Sequence, residues 1–223
     1  ISKIYNPGLV TEMCLFDGFN FTVNDGEFVS VIGSNGSGKT SMLNIICGSI
    51  PINGGEVLIN GKSINKKKDF ERYANIGRVY QNPAMGNCPN MTILENMSLA
   101  DNKGKPFGLS FALNKKRFDF YKEQLLMATL TPIDFLILDE HTAALDPKTA
   151  EIIMELTNKI VTEKKLTAIM VTHNLRYAVE YGSRLIMMDK GHIILDKQGE
   201  EKKSASIDDI LEIFNRISIE CGN

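Results

Sequence analysis

The chain has 223 residues, with 25 Lys and Arg against 27 Asp and Glu and a formal charge of −2. That length suits one large domain or a core with one insertion, and 43% apolar with 23% charged residues excludes a disordered chain or a coiled coil. There is no basic excess for bulk nucleic-acid binding, and no apolar run nears bilayer length, Phe135–Leu138 being the best.

Cys14, Cys47, Cys88 and Cys221 lie far apart with no CxxC pair, so they read as reduced thiols that mostly fill the core. The opening ISKIYNPG lacks the apolar stretch of a signal peptide. Ile1 in place of Met implies a missing N-terminus. The expectation is a soluble chain whose dealings with a membrane run through a partner.

In chain order, Phe19–Val23 alternates and ends at Asn24-Asp25-Gly26, a hairpin signal. Phe28–Ile32 is a β-branched apolar run that enters a glycine-rich loop, and Met42, Leu43, Ile45 and Ile46 then mark a helix. Glu56–Asn60 predicts a strand closed by Gly61, so an antiparallel patch should flank the first strand–helix unit. Lys66-Lys67-Lys68 reads as a solvated face. Ile76–Tyr80 is a strand running into Gln81. Pro83, Gly86 and Pro89 then make a loop, and Thr92 to Glu95 has capping-box spacing for a helix into Leu99. Residues 110–130 are mostly helix formers, so 82–130 is predicted to be a helical insertion into a core of 1–81 and 131–223. Phe135–Leu138 predicts a buried strand, and Asp146-Pro147 opens a helix to about Lys164. A strand over Thr167–Thr172, a helix over Leu175–Tyr181 and a hairpin over Arg184–Asp196 turning at Lys190-Gly191 follow. An amphipathic helix near Ile207–Ile217 ends the series.

Gly33-Ser34-Asn35-Gly36-Ser37-Gly38-Lys39-Thr40 carries the spacing of a phosphate-binding loop, with a strand before it and a helix after it. Phosphates need backbone N–H groups turned inward at the positive end of a helix, which glycines permit. Lys39 would reach the β and γ phosphates and stabilise transferred charge, and the Thr40 hydroxyl would ligate Mg²⁺. Ser41 completes the nucleotide-binding stretch. The second element is Phe135-Leu136-Ile137-Leu138-Asp139-Glu140. Its strand end would bring Asp139 to Mg²⁺, usually through water, and Glu140 to the water that attacks the γ-phosphate.

With these motifs in place, the chain resembles the nucleotide-binding subunits of ABC (ATP-binding cassette) transporters over nearly its full length. The resemblance implies that Gln81 touches Mg²⁺ and the attacking water, and that the insertion after it docks a membrane permease near 82–100. Ala143-Ala144-Leu145-Asp146 looks like the D-loop, His173 after Thr167–Thr172 looks like the switch histidine, and Tyr5 matches the aromatic that stacks on adenine. His141 and His192 have no such support and read as structural. PAMGNCPNMTILENMSLA, FALNKKRF and DEHTAALDPKTA further resemble the ATPases of bacterial importers of amino acids such as tryptophan and tyrosine.

One departure stands out. The family's Leu-Ser-Gly-Gly-Gln signature is absent, and Leu109-Ser110 continues without glycines. KEQL followed by LMATLTP reads as two helices joined abruptly. The expectation is that a segment bearing the signature is missing near 122–127, marked by a Cα–Cα step far beyond ~3.8 Å. A continuous peptide there would imply a degenerate ATPase.

The expected fold is α/β: a P-loop NTPase core with an antiparallel β subdomain and an inserted α-helical subdomain. The resemblance implies a homodimer or pseudo-dimer that sandwiches two ATP, a permease partner and, indirectly, an extracytoplasmic solute-binding protein. It places the chain at the cytoplasmic face of a bacterial membrane, with no nucleic acid. Rival readings are a soluble ABC ATPase of the repair or translation type, a P-loop kinase, and a hydrolysis-deficient nucleotide-binding module. Glu140 followed by Ala143–Asp146, together with His173 at a strand end, argues against the kinase.

Overall fold

The computed structural model describes residues 1–82, 85, 86, 88, 90–101, 132–143 and 145–220. Its frame is a six-stranded sheet. In chain order the strands are β1 (Lys3–Tyr5), β2 (Met13–Phe16), β3 (Phe28–Gly33), β4 (Leu58–Ile59), β5 (Lys62–Ser63), β6 (Ile76–Val79), β7 (Phe135–Asp139), β8 (Thr167–Val171), β9 (Arg184–Asp189) and β10 (His192–Gln198). The sheet runs β10-β9-β3-β8-β7-β6, antiparallel only at β10–β9, and β1–β2 and β4–β5 form separate two-stranded pieces. The helices are α1 (Lys39–Cys47), α2 (Asp69–Tyr73), α3 (Ile93–Asp101), α4 (Pro147–Glu163), α5 (Leu175–Glu180), α6 (Gly199–Lys203) and α7 (Ile207–Glu220).

The central strands are mostly apolar because helices cover both faces, with Ser30 the one polar residue inside β3. Val29, Val31, Ile137, Ile169 and Val171 pack with Met42, Leu43 and Ile45 of α1. The alternate residues Phe28, Leu136, Leu138, Ala168 and Met170 meet Ala150, Met154 and Val161 of α4. Further along, Ile32, Leu185 and Met187 meet Ala178 of α5 and Ile210 of α7. This period of two fixes which face each strand-end side chain shares. Asp139, two residues beyond Ile137, therefore falls on the α1 side.

Most expected elements are present within a residue or two at their ends. Thr92 and Glu95 form the expected capping box, with Thr92 N–H donating to Glu95 Oε2 at 2.8 Å and Glu95 N–H to Thr92 Oγ1 at 3.2 Å. Asp146 caps α4 ahead of Pro147 by accepting from Thr149 N–H at 3.1 Å. The Lys66–Lys68 run is exposed.

Three expectations are corrected. Phe19–Val23 forms no strand: Phe19 is buried and Phe21 and Val23 are partly so, but its backbone finds no ladder partner. The expected Glu56–Asn60 strand shrinks to Leu58–Ile59, because Asn60 (φ 52°) and Gly61 (φ 70°) turn straight into β5. Of the cysteines, Cys47 fills the core, whereas Cys14 and Cys88 are exposed on an outer strand face and a loop. Cys221, the 122–127 junction, FALNKKRF and most of the insertion expected over 82–130 lie outside the described residues.

Candidate active site

The site gathers at the carboxyl ends of the parallel strands, where open α/β sheets bind ligands. β3 is buried along its whole length and delivers the chain into residues 34–38 at the middle of the sheet. Glycine is required at the entry: at Gly33 (φ 153°) a Cβ would collide with the Met188 carbonyl. Gly38, at the start of α1, has φ 102°, and a Cβ there would come within 2.9 Å of Phe16 Cζ. The loop is held from behind by the β9–β10 turn. Ser34 Oγ donates to Asp189 Oδ1 at 2.7 Å, and Gly191 N–H donates to the Ser37 carbonyl at 3.0 Å. The sequence gives no warning of this brace, since Asp189 is remote from the loop in the chain.

Lys39 folds back over its own loop. Its Nζ donates to the Gly33 and Ser34 carbonyls at 2.8 Å each and to Ser37 Oγ at 3.3 Å. Burial lowers the Lys39 pKa, and the charges of Glu140 and Asp139 oppose that shift. An ammonium stripped of water and held by carbonyls has much to gain from an arriving phosphate.

Two groups face the loop from neighbouring strands. Glu140 follows β7 in the left-handed region, φ 49°, with its N–H on the Val171 carbonyl at 2.9 Å. A non-glycine residue there is held by its surroundings against a local cost. His173 follows β8, between buried Thr172 and Asn174, which caps α5 by accepting from Tyr177 N–H at 3.2 Å. His173 Nε2 lies 2.8 Å from Glu140 Oε1, and their side chains are 51% and 12% exposed. Held by the ring, the carboxylate faces the cavity, where it can meet a water.

A cavity of about 460 Å³ brings together residues 35–41 of the loop and α1, Tyr5, Glu140 and His173. Tyr5 donates from its hydroxyl to Ser41 Oγ at 3.3 Å, and the Lys3 ammonium sits 4.8 Å from its ring centroid. Met13 and Leu15 give the cavity an apolar wall beside Tyr5, a suitable surface for a flat ring. Two larger cavities, of about 560 and 650 Å³, lie at the far end of α1 and beneath β4–β5, away from this cluster.

Gln81, Asp139 and Asp146 do not line the cavity. Gln81 sits exposed just past β6. Asp146 is at the exposed start of α4, where hydrogen bonds from Thr149 hold its carboxyl below the usual range. Asp139 is buried at the end of β7, and its Oδ2 accepts from Arg78 Nη2 at 2.7 Å. Its Oδ1 has no hydrogen-bond partner among the described residues. With Thr40 and Gln81 that leaves an all-oxygen donor set, the kind that suits Mg²⁺. No cluster of three or more His, Cys, Asp or Glu residues able to hold a metal occurs among the described residues. Mg²⁺ needs none, since it takes one or two carboxylates together with substrate phosphates. His141 meets Thr157 Oγ1 at 3.4 Å, and desolvation pushes its pKa down to about 4. His192 is exposed.

Comparison with known proteins gives a single picture. Residues 16–129 match the ABC transporter family. A tyrosine transport ATP-binding protein of Clostridioides difficile (strain R20291) is 41% identical over 227 aligned positions, which take in 90% of each chain. The bicarbonate transport ATP-binding protein CmpD of Synechococcus elongatus is 34% identical over 86% of this chain and 74% of its own. Among solved structures, the dimeric post-hydrolysis state of the ATP-binding cassette MJ0796 bound to ADP and Pi superposes with a TM-score of 0.75. It is 26% identical and covers 89% of this chain and 96% of that one. The alignment with the C. difficile protein is longer than the 223 residues of this chain while using only 90% of them. That relative therefore carries residues inside the matched stretch that have no counterpart here. Among the described residues no helix is long and apolar enough to cross a membrane.

Proposed function

Because the chain belongs to the ABC transporter family and is an ATP-hydrolysing, ATP-binding subunit of that family, we propose that its site residues divide the work as follows. Residues 33–41 cradle the phosphates with backbone N–H groups at the start of α1, and Tyr5 stacks on the base. Lys39 leaves its own carbonyls for the β and γ phosphates and stabilises the charge that moves with the γ group. Glu140 orients and deprotonates the attacking water, and His173, hydrogen-bonded to it, holds that carboxylate and the γ-phosphate region. Thr40, Asp139 and Gln81 hold Mg²⁺, which when bound neutralises phosphate charge and aligns the phosphates. The observation that carries the reading is the shared cavity, in which Glu140 and His173 sit 2.8 Å apart opposite the loop.

We further propose a bacterial importer of amino acids, with tyrosine-like solutes first in line. The 41% identity to a protein named for tyrosine transport supports that choice. Two copies would close on ATP, a pairing supported by the relative that is dimeric with ADP and Pi, and Asp146 would meet nucleotide only across that dimer interface. Residues near 82–100 would dock an integral-membrane permease at the cytoplasmic face, and a solute-binding protein would deliver cargo from the other side. The test is uptake into vesicles that hold the chain with its permease, against a panel of amino acids. ATP-driven uptake of tyrosine or a close analogue, lost in Lys39→Ala, is expected. ATP hydrolysis that moves none of the panel would overturn the importer reading.

A second reading has its own support. The absent Leu-Ser-Gly-Gly-Gln stretch and the longer matched relative favour a chain that binds ATP and turns it over slowly by itself. Hydrolysis by the chain alone, compared with hydrolysis in the permease complex, separates this from the first reading.

A further inference from the structure

Arg78 lies on β6, two residues after Ile76, which packs on the α1 side of the sheet. The period of two turns Arg78 to the same side, where Asn44, Cys47, Tyr73, Tyr80 and Asp139 surround it. Its side chain is 4% exposed, and that of Asp139, which it meets at 2.7 Å, is 8% exposed. Nη1 of the same guanidinium donates to Asn44 Oδ1 on α1 at 2.8 Å, and the group lies 4.5 Å from the Tyr80 ring centroid. Its Nε is buried with no hydrogen-bond partner among the described residues.

For stability alone this is a poor arrangement. A buried ion pair seldom outperforms an apolar pair of equal volume, and an orphaned buried N–H costs about 1–3 kcal/mol. What the arrangement does supply is placement. Asn44 stands one helical turn beyond Thr40 on α1, Tyr80 precedes Gln81, and Asp139 is held directly. One rigid fork thus touches a member or a neighbour of each of the three proposed metal donors.

We propose that Arg78 is a positioning residue for the metal-binding set: it occupies Asp139 Oδ2 so that Oδ1 faces the metal, and it fixes the spacing of β7 against α1 and the Gln81 segment. The proposal rests on the reading of Asp139 as a metal-holding carboxylate. Supporting groups of this kind change metal affinity by roughly 10–100-fold when removed.

The test is Mn²⁺ binding to the full chain with ATP, followed by the electron paramagnetic resonance signal of free Mn²⁺, beside ATP binding in EDTA. Arg78→Met is expected to need about 10–100-fold more Mn²⁺ for half-saturation, while metal-free ATP binding stays at the wild-type level. Arg78→Lys, which keeps the charge but cannot fork to Asn44, should fall between the two. An unchanged Mn²⁺ requirement in Arg78→Lys and Arg78→Met overturns the proposal, and so does a loss of metal-free ATP binding in step with Mn²⁺ binding. If Arg78→Met does not fold, Arg78→Lys decides by the same criterion. Asp139→Asn separates the underlying reading. If it binds Mn²⁺ with ATP as the wild type does, Asp139 is not a metal-holding residue and the proposal falls with it. If it raises the requirement while the Arg78 variants do not, only the positioning role is lost.

Discussion

His141 and Glu140 are neighbours with opposite surroundings. Glu140 turns into the site at a positive φ, beside His173, whereas His141 turns inward to Thr157. Desolvation pushes the His141 pKa down to about 4 from 6.5, so folding favours the neutral ring. As the pH falls below 6.5 the unfolded chain takes up a proton that the native state refuses until about pH 4. Stability from this group is therefore full above pH 6.5 and lost on acidification toward 4. Between neutral pH and pH 5 the loss should be about 2 kcal/mol. Urea unfolding at the two pH values, in wild type and His141→Gln, measures it. The variant should lose less on acidification by about that amount, and equal losses would contradict the assignment. The sequence alone reads His141 as structural but not how deeply it is enclosed: a histidine after Asp-Glu looks the same at either depth.

Among the elements, α1 matters most, because its first residue is Lys39 and its last turn must be anchored. The anchor is Arg72 of α2, whose Nη1 donates to the Ile45 and Ile46 carbonyls at 2.9 and 3.3 Å. A cation on the last carbonyls of a helix, partly buried, contributes up to about 2 kcal/mol. Arg72→Met should lower unfolding stability by about 1–2 kcal/mol, read by denaturant titration, with ATP affinity falling less than in Lys39→Ala. A change within error would show that α1 needs no such anchor. Neither α2 nor this cap was anticipated, since Asp69–Tyr73 is only five residues long and Arg72 meets α1 only in the fold. The strands were easier to read: Phe28–Gly33 and Phe135–Asp139 are covered on both faces, so runs that are apolar but for Ser30 and the terminal Asp139 announce them. Phe19–Val23 misled for a related reason. Its alternation records which side chains are partly buried, while its backbone bonds to Ile1 at Phe19 and to Arg184 at Thr22 without joining a ladder.

At the scale of the whole molecule, the sheet order explains why residues from 33 to 173 meet. β3, β8, β7 and β6 run parallel, so their carboxyl ends open on one edge, and each places a candidate residue there. The phosphate loop, Asp139-Glu140 and His173 could be read from residue type and strand ends. Arg78 and Asp189 could not, because their roles exist only once strands distant in sequence are adjacent. The same sheet explains why Gln81 and Asp146 stay outside the cavity: one lies beyond an edge strand and the other caps the exposed end of α4. The measurement that bears most directly on the site is steady-state ATP hydrolysis by Glu140→Gln, with ATP affinity measured on the same sample. ATP affinity should stay within a few-fold of wild type while turnover drops by at least about 100-fold, whereas near-normal hydrolysis would show that Glu140 does not activate the attacking water.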